Sequence, residues 1–448
     1  MTNSARQPNI LIRFIKSATT IEADELKATL LSFGLVFVLM ASYYILRPVR
    51  DSFASDWTRA ERSTLWTFTF FLSLIATALY GIAVSKISFK KLVPAVYACF
   101  AASFVVVYVL SELVADADLV RRFFYVWVSV FSLFNLSVFW SFMSDLYSKE
   151  QSKRLFGFIT TGASIGALVG PSIPLLFGDL GTNTLLLIAS VVLLCTIPLI
   201  LYIQSYSVRE MGVTLGQSEV QVPGSIGGNP LEGFRIFLKD PFLLRIGAFI
   251  FLYTAISTFI YFDIADMLVA YTEEQRTKVW AFMDLATNAI TIATGMFVTS
   301  RLSTRMGVGF TLALVPVVVC LGFFTMAVIP IVWILVGFQI FRRAGNYGIT
   351  RPAREMLFTM VDREARFKAK QVVDVVVYRG GDVFWAWFAT ALTALFSLTL
   401  AGTAVVGAVI AAVWALLGVH LGKRFAAIKS GQEAQEKEAS EQPSLPNT

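Results

Sequence analysis

Histidine is almost missing from this chain, with one residue, His420, in 448. That excludes a histidine-rich metal centre and a histidine proton relay. Cysteine is nearly as scarce. Cys99, Cys195 and Cys320 each fall inside a long apolar run, so a disulfide framework or thiolate metal site is excluded and buried free thiols are expected. Charge is thin, at 15% of residues, against about a quarter in soluble domains. No phosphate-binding loop of the form GxxxxGK[ST] is present. The nearest run, Gly418-Val-His-Leu-Gly422-Lys423-Arg424, has the wrong spacing and an arginine where Ser or Thr belongs. A nucleophile elbow and an HExxH zinc motif are also lacking. An enzyme is therefore not the expectation, and no cofactor is implied.

Apolar residues fill the space. They make up 56% of the chain, with a mean hydropathy of +0.69. A bilayer core takes about 20 apolar residues per helix, and twelve such stretches can be placed, near 28–46, 63–84, 92–114, 123–143, 155–178, 183–204, 242–265, 278–299, 308–328, 331–350, 372–396 and 398–420. The fourth, fifth, eighth and eleventh are the least apolar. Lys and Arg mark the orientation. With a cytoplasmic N-terminus, the inner segments carry 28 of them and the outer loops 8, Arg379 lying within a span. Both termini are then cytoplasmic, in a cell inner membrane. The net charge of +7 follows from this bias, so nucleic-acid binding is not implied. The first apolar run starts near residue 28, is of span length and lacks a small-residue cleavage site, so no cleavable leader is expected. Residues 10–15 have the character of a surface-lying segment.

The one long connection, 205–241, is rich in Gly, Ser and Pro. It divides the chain into a first six-helix bundle (1–204) and a second (242–420), with a short amphipathic helix expected at 231–240. The polar segment from Gly431, within a tail of 421–448, reads as disordered. Six spans, a cytoplasmic linker and six more spans is the major facilitator arrangement, each half being two inverted three-helix units. The fold class is thus all-α membrane, twelve transmembrane helices in two six-helix bundles. The expected partner is the lipid bilayer, and a monomer is expected.

A nine-residue phrase occurs twice. Ile45–Phe53 reads ILRPVRDSF and Ile349–Leu357 reads ITRPAREML. Both put Arg-Pro-x-Arg and a carboxylate at the exit of an apolar stretch. Arginines are costly at the edge of a bilayer and usually face a bundle interior or a watery path. Their planar forks recognise phosphate or carboxylate. Arg47, Arg50 and Asp51 end the first span, Asp145 the fourth, and Asp263 and Asp266 the seventh. Asp284 and Asn288 lie a turn apart in the eighth. Arg342, Arg343, Asn346, Arg351, Arg354 and Glu355 crowd the end of the tenth. In the eleventh, Asp374, Tyr378 and Asp382 share a face at i, i+4, i+8, with Arg379 beside them and Asp382 as its possible intramembrane partner. Gly345, Gly348, Gly380 and Gly381 would permit local unwinding. Gly162, Gly166 and Gly170 in the fifth span suit close helix packing. Each feature has a plainer reading: the arginines as interfacial anchors paired with Asp51 or Glu355, Asp145 and the Lys370–Asp374 group as cytoplasmic latches. The aromatic residues Tyr43, Tyr44, Trp140, Tyr347, Tyr378 and Trp385 read either as packing or as platforms for a base.

Three segments carry a family resemblance. SYYILRPVRD (42–51), FYVW…SVFWSFMSDLYSKEQSKRLFGF (124–158) and REARFKAKQVVDVVVYRGGD (363–382) resemble, in the same order, the ATP/ADP translocase family of nucleotide exchange transporters. Arg50, Asp51, Asp145, Lys153-Arg154, Lys370, Asp374 and Arg379 are in register with its charged positions. Two places depart from it. The family carries a GKSGG-like run where this chain has Tyr378-Arg379-Gly380-Gly381-Asp382. It also has a Glu and a nearby Lys in its seventh helix, where Tyr261 and Ala265 stand here. The resemblance implies a nucleotide antiporter working by alternating access. Arg47, Arg50, Arg351, Arg354, Lys370 and Arg379 would bind the anion, and Asp51, Asp145, Asp374 and Asp382 would pair with basic residues and release them as gates switch. The rival expectations are a proton-coupled facilitator of another organic anion or peptide, with Asp263, Asp284 or Asp374 carrying the proton, and a non-transporting scaffold or sensor.

Overall fold

All regular structure among the described residues is helical. The computed structural model describes residues 21–22, 25–114, 116–210 and 232–441. The expected surface segment 10–15, positions 211–231 of the long connection and 442–448 lie outside them. In chain order the helices are α1 (Leu26–Phe53), α2 (Arg59–Lys86), α3 (Phe89–Leu113), α4 (Asp118–Leu146), α5 (Lys149–Phe177), α6 (Thr182–Leu194) and α7 (Thr196–Glu210). They continue as α8 (Glu232–Lys239), α9 (Pro241–Leu268), α10 (Glu273–Phe297), α11 (Thr299–Val328), α12 (Val332–Gly345), α13 (Arg351–Leu357), α14 (Arg363–Gln371), α15 (Tyr378–Phe396) and α16 (Leu400–Glu441).

Local chemistry sets several boundaries. Ser148 and Gln151 form a reciprocal capping box at the start of α5, satisfying two backbone donors that a helix start leaves open. Asp240 caps α9 by accepting from the Phe242 and Leu243 amides, with Pro241 in the first turn, where its missing N–H costs nothing. α6 and α7 form one span, broken at Cys195, where Pro198 has no N–H for the Leu194 carbonyl. Gly307, at φ 80°, divides α11; only glycine takes that conformation without strain. The expected amphipathic helix is α8, and its Phe237 ring lies where a Cβ on Gly247 of α9 would stand.

Among the described residues, nine helices are long and apolar enough to cross a membrane. The fourth and fifth expected spans qualify. The eighth, tenth and eleventh fall short by this measure. α10 carries Glu273, Glu274, Arg276, Lys278 and Asp284. The tenth span is interrupted by a π-helical turn at Asn346–Thr350 and the eleventh by another at Val372–Val377. The expected unwinding at Gly345 and Gly348 is thus a widening of the helix. In the eleventh span the widening comes before Gly380 and Gly381, in a run of β-branched valines. Pro352 cannot donate to the Gly348 carbonyl four residues back, and the Thr299 hydroxyl donates to it instead.

Two further expectations change. The segment 421–441, expected to be disordered, continues α16 to Glu441; its Ala, Glu, Gln and Lys residues are good helix formers. Cys99 and Cys195 are free and exposed on helix surfaces rather than buried, and Cys320 is half-buried. A thiol facing lipid is already in an apolar medium and needs no burial in protein.

The chain forms two compact units. The first comprises Met1–Phe53, Phe71–Val222 and Thr272–Leu285, the second Ala54–Phe70, Pro223–Tyr271 and Ala286–Thr448. In the first, α1 packs on α5 and α6, and α3 on α6. In the second, α9 packs on α15 and α16, and α11 on α16. Counted as spans, first-on-fifth, first-on-sixth and third-on-sixth recur as seventh-on-eleventh, seventh-on-twelfth and ninth-on-twelfth. Gly162, Gly166 and Gly170 lie against the carbonyls of Phe33, Phe37 and Ala41 on α1, an approach that any Cβ would block. Gly422 and Gly418 of α16 meet Gly309 and Leu312 of α11 in the same manner, which gives the Gly418–Gly422 spacing a packing role.

Candidate functional site

At the end of α1 in the first unit, Pro48 is accommodated inside the helix and the motif arginines stay on helical spacing. Arg47 and Asp51, one turn apart, approach to 3.7 Å, and Arg47 also reaches Asp284 of α10 at 3.4 Å. Arg50 donates to Asp51 from Nε at 2.9 Å and from Nη2 at 2.6 Å, and to the Ser129 hydroxyl of α4 at 3.3 Å. The Tyr125 ring lies 5.5 Å from the Arg50 guanidinium. Asp51 and Asp284 are almost fully buried. Two guanidiniums thus face two carboxylates, and the network is close to neutral. Asp145 is buried at the opposite end of α4.

A second pairing of two arginines with two aspartates lies in the other unit. Arg59 of α2 donates to Asp263 and Asp266 of α9, each at 2.6 Å, and Arg62 donates to Asp266 and to the Phe262 carbonyl. Arg62 and Asp263 are wholly buried. Asp263 and Asp266 are visible in the sequence as the end of a span. Arg59 and Arg62 stand out there only as an excess of positive charge in an outer loop, the signal from which their role can be found.

The third cluster lies at the end expected to face the cytoplasm. Arg354 reaches Glu355 and Asp374 at 3.3 Å each, and Lys370 reaches Glu355 at 2.5 Å. Arg351 is exposed. Burial pushes the Glu355 carboxyl up, but Lys370 and Arg354 together outweigh it and hold the group below the usual glutamate range. Lys370 bonds to Glu355 and lies within electrostatic range of Asp374, so the expected Lys370–Asp374 group shares one cluster with Arg354 and Glu355. Arg154 and Gln151 hold Glu25 in the first unit, at 2.8 and 3.0 Å.

The core of the second unit differs from all of these. Arg342 of α12 is 2% exposed; its Nε donates to Oε1 of Gln339 at 2.9 Å, and its guanidinium lies 5.5 Å from the Tyr253 ring of α9. Tyr253 and Tyr378 of α15 have ring centres 6.0 Å apart. Arg379 and Asp382 follow on α15, both half-buried. Asp382 is within electrostatic range of Arg379 and Arg342, and Tyr378 is within range of Tyr347, Arg379 and Asp382. Among the described residues no carboxylate forms an ion pair with Arg342 or Arg379. The expected Arg379–Asp382 pair is therefore absent, and Asp382 is not a charge-pairing residue in this conformation. Asp374 also leaves the expected stripe, because the π turn at Val372–Val377 shifts the helical phase between it and Tyr378. It joins Arg354, while Tyr378 and Asp382 remain in the core. Of the other aromatic candidates, Trp385 donates to the Phe251 carbonyl at 2.9 Å and packs on Phe251.

Two arginines against one aspartate leave these side chains with a surplus of positive charge. Residues 32–361, well over half the chain, match the profile of the Major Facilitator Superfamily. The chain belongs to the major facilitator superfamily. Solved structures agree on the fold. A bacterial homologue of the human lysosomal transporter Spinster, inward-facing and occupied, is 13% identical with a TM-score of 0.59, over 91% of this chain and 99% of that one. The nucleoside transporter NupG is 16% identical with a TM-score of 0.56, over the same shares. No curated protein sequence matches this chain. Membership carries the twelve-helix, two-bundle arrangement and makes this major facilitator protein a multi-pass secondary transporter of small molecules.

Proposed function

We propose that this transporter exchanges nucleotides, or a closely related phosphorylated anion, by alternating access across the cell inner membrane, as a monomer with both termini in the cytoplasm. The observation that carries the reading is the surplus charge of the second unit's core. Arg342 and Arg379 share a region with Tyr253 and Tyr378, and Asp382 bonds to neither arginine. Guanidiniums take phosphoryl oxygens bidentately, and tyrosine rings offer faces on which a base can stack at about 1–3 kcal/mol. Arg47, Arg50, Arg354 and Lys370 now hold Asp51, Asp284, Asp374 and Glu355, and Arg351 stands exposed beside the last group. In this reading the substrate takes those basic residues over from their carboxylates during passage, and the carboxylates, with Asp145, recover them when the site empties.

Arg379→Ala tests the assignment. Losing one charge-assisted interaction of about 1.5–3 kcal/mol lowers uptake of labelled nucleotide by roughly ten- to a hundredfold, with unchanged expression and thermal midpoint. Normal uptake by that variant removes Arg379 from the site. A second reading, a proton-coupled transporter of another organic anion, draws support from the same Asp382, a carboxylate without an ion pair. Asp263, Asp284 and Asp374 are all held by arginines, which makes them weaker proton carriers than Asp382.

A further inference from the structure

Arg342 lies in this core with its charge only partly met by its neighbours. Its guanidinium has left water almost completely, at 2% exposure. Its Nε is engaged by Gln339, one turn earlier and itself buried. Its Nη1 has no hydrogen-bond partner. A buried charge normally sits in an ion pair, because one left uncompensated is strongly destabilising. Gln339 is neutral and cannot supply the missing charge. Tyr253, at 5.5 Å, offers only a cation–π contact, which carries no compensating negative charge. Asp382 contributes at a distance and makes no bond. The compensation that folding normally provides is missing at the point where surplus positive charge meets two tyrosines.

We infer that Arg342 is the fixed oxyanion hook of the transported substrate, with Gln339 as its positioning residue. The inference rests on the proposed function and specifies which group on this chain grips the substrate's charged end. A guanidinium offers a side-on edge, Nε with Nη2, and an end-on edge, Nη1 with Nη2. Gln339 occupies Nε and removes the side-on edge. The end-on edge remains, and its two parallel N–H groups match two oxygens of a single phosphoryl or carboxylate group. Using a neutral glutamine for this purpose fixes the fork without cancelling its charge. The sequence places Arg342 merely among many basic residues at the end of a span; the burial and the Gln339 bond distinguish it.

The test turns on Gln339→Glu in the purified full-length protein. The new carboxylate can still accept from Nε, and it also neutralises Arg342. If Gln339 were only structural, this change would preserve or improve both stability and ligand binding. The hook predicts a split result: the thermal midpoint without ligand rises, and the upward shift given to the wild type by ADP and by inorganic phosphate disappears. Adenosine, lacking an oxyanion, shifts neither protein. Gln339→Met, which keeps the bulk and drops the acceptor, raises the KM for uptake by roughly tenfold with little change in maximal rate, the loss of one interaction to a charged group. A ligand shift of wild-type size in Gln339→Glu overturns the hook and leaves nucleotide transport standing. A wild type stabilised by citrate but not by phosphate or ADP, with that shift lost in Gln339→Glu, supports the hook and overturns the nucleotide reading. No shift with any of the four probes overturns both.

Discussion

Glu355 lies between Lys370 and Arg354, and its carboxyl is held below the usual glutamate range because those two cations outweigh the effect of partial burial. A group whose pKa is lower in the folded state binds its proton more weakly there than in the unfolded chain. Its stabilisation is fully present above the unfolded glutamate value and is lost as pH falls through the lower folded value. Glu355→Gln is therefore expected to melt below the wild type at neutral pH, with the gap closing as the pH drops through that acidic window. Thermal melting across pH checks this; a gap that is constant with pH would contradict it. The titrating residues were readable in the sequence as charges at span ends, because apolar runs make every charge conspicuous. Their partners were not. Lys370 bonding Glu355 rather than Asp374, and Arg59 finding Asp263, depend on which helices become neighbours, and no spacing along the chain encodes that.

The seam between α1 and α5 is built on glycine. Gly166→Val would put side-chain carbons onto the Phe37 carbonyl and the Met40 side chain, with overpacking expected to cost about 1–3 kcal/mol. Gly157→Ala, on the same helix but facing open space, is expected to be neutral or to stabilise by up to about 1 kcal/mol, the helix propensity gain. Equal melting temperatures for the two variants would mean that the seam is not close-packed. The four-residue glycine spacing made this contact legible in advance, as did the hydropathy of most spans. The π turns at Asn346–Thr350 and Val372–Val377 were less accessible. Gly345, Gly348 and Pro352 announce an irregularity in the tenth span, but valine-rich 372–377 looks like ordinary apolar helix. Its widening moves Asp374 out of the core stripe that a regular 3.6-residue repeat assigns to it.

On the scale of the whole molecule, the same helix pairings recur in both units while their polar interiors diverge. The first unit's arginines are matched by Asp51 and Asp284; the second unit's core keeps Arg342 and Arg379 beside a single, unbonded aspartate. Length, hydropathy and the distribution of Lys and Arg were enough to reach the superfamily, because a bilayer constrains every span in the same way. In the proposed reading the substrate is chosen by a few side chains in the second unit's core, where hydropathy and charge counts along the chain carry no information. Counterflow in proteoliposomes addresses that question most directly: uptake of labelled ATP or ADP, with and without unlabelled nucleotide trapped inside, in the presence of an uncoupler. Exchange of a phosphorylated anion predicts uptake that requires internal nucleotide and persists when the proton gradient is collapsed. Uptake into empty vesicles that stops with the uncoupler, or no nucleotide uptake by correctly reconstituted protein, would contradict it.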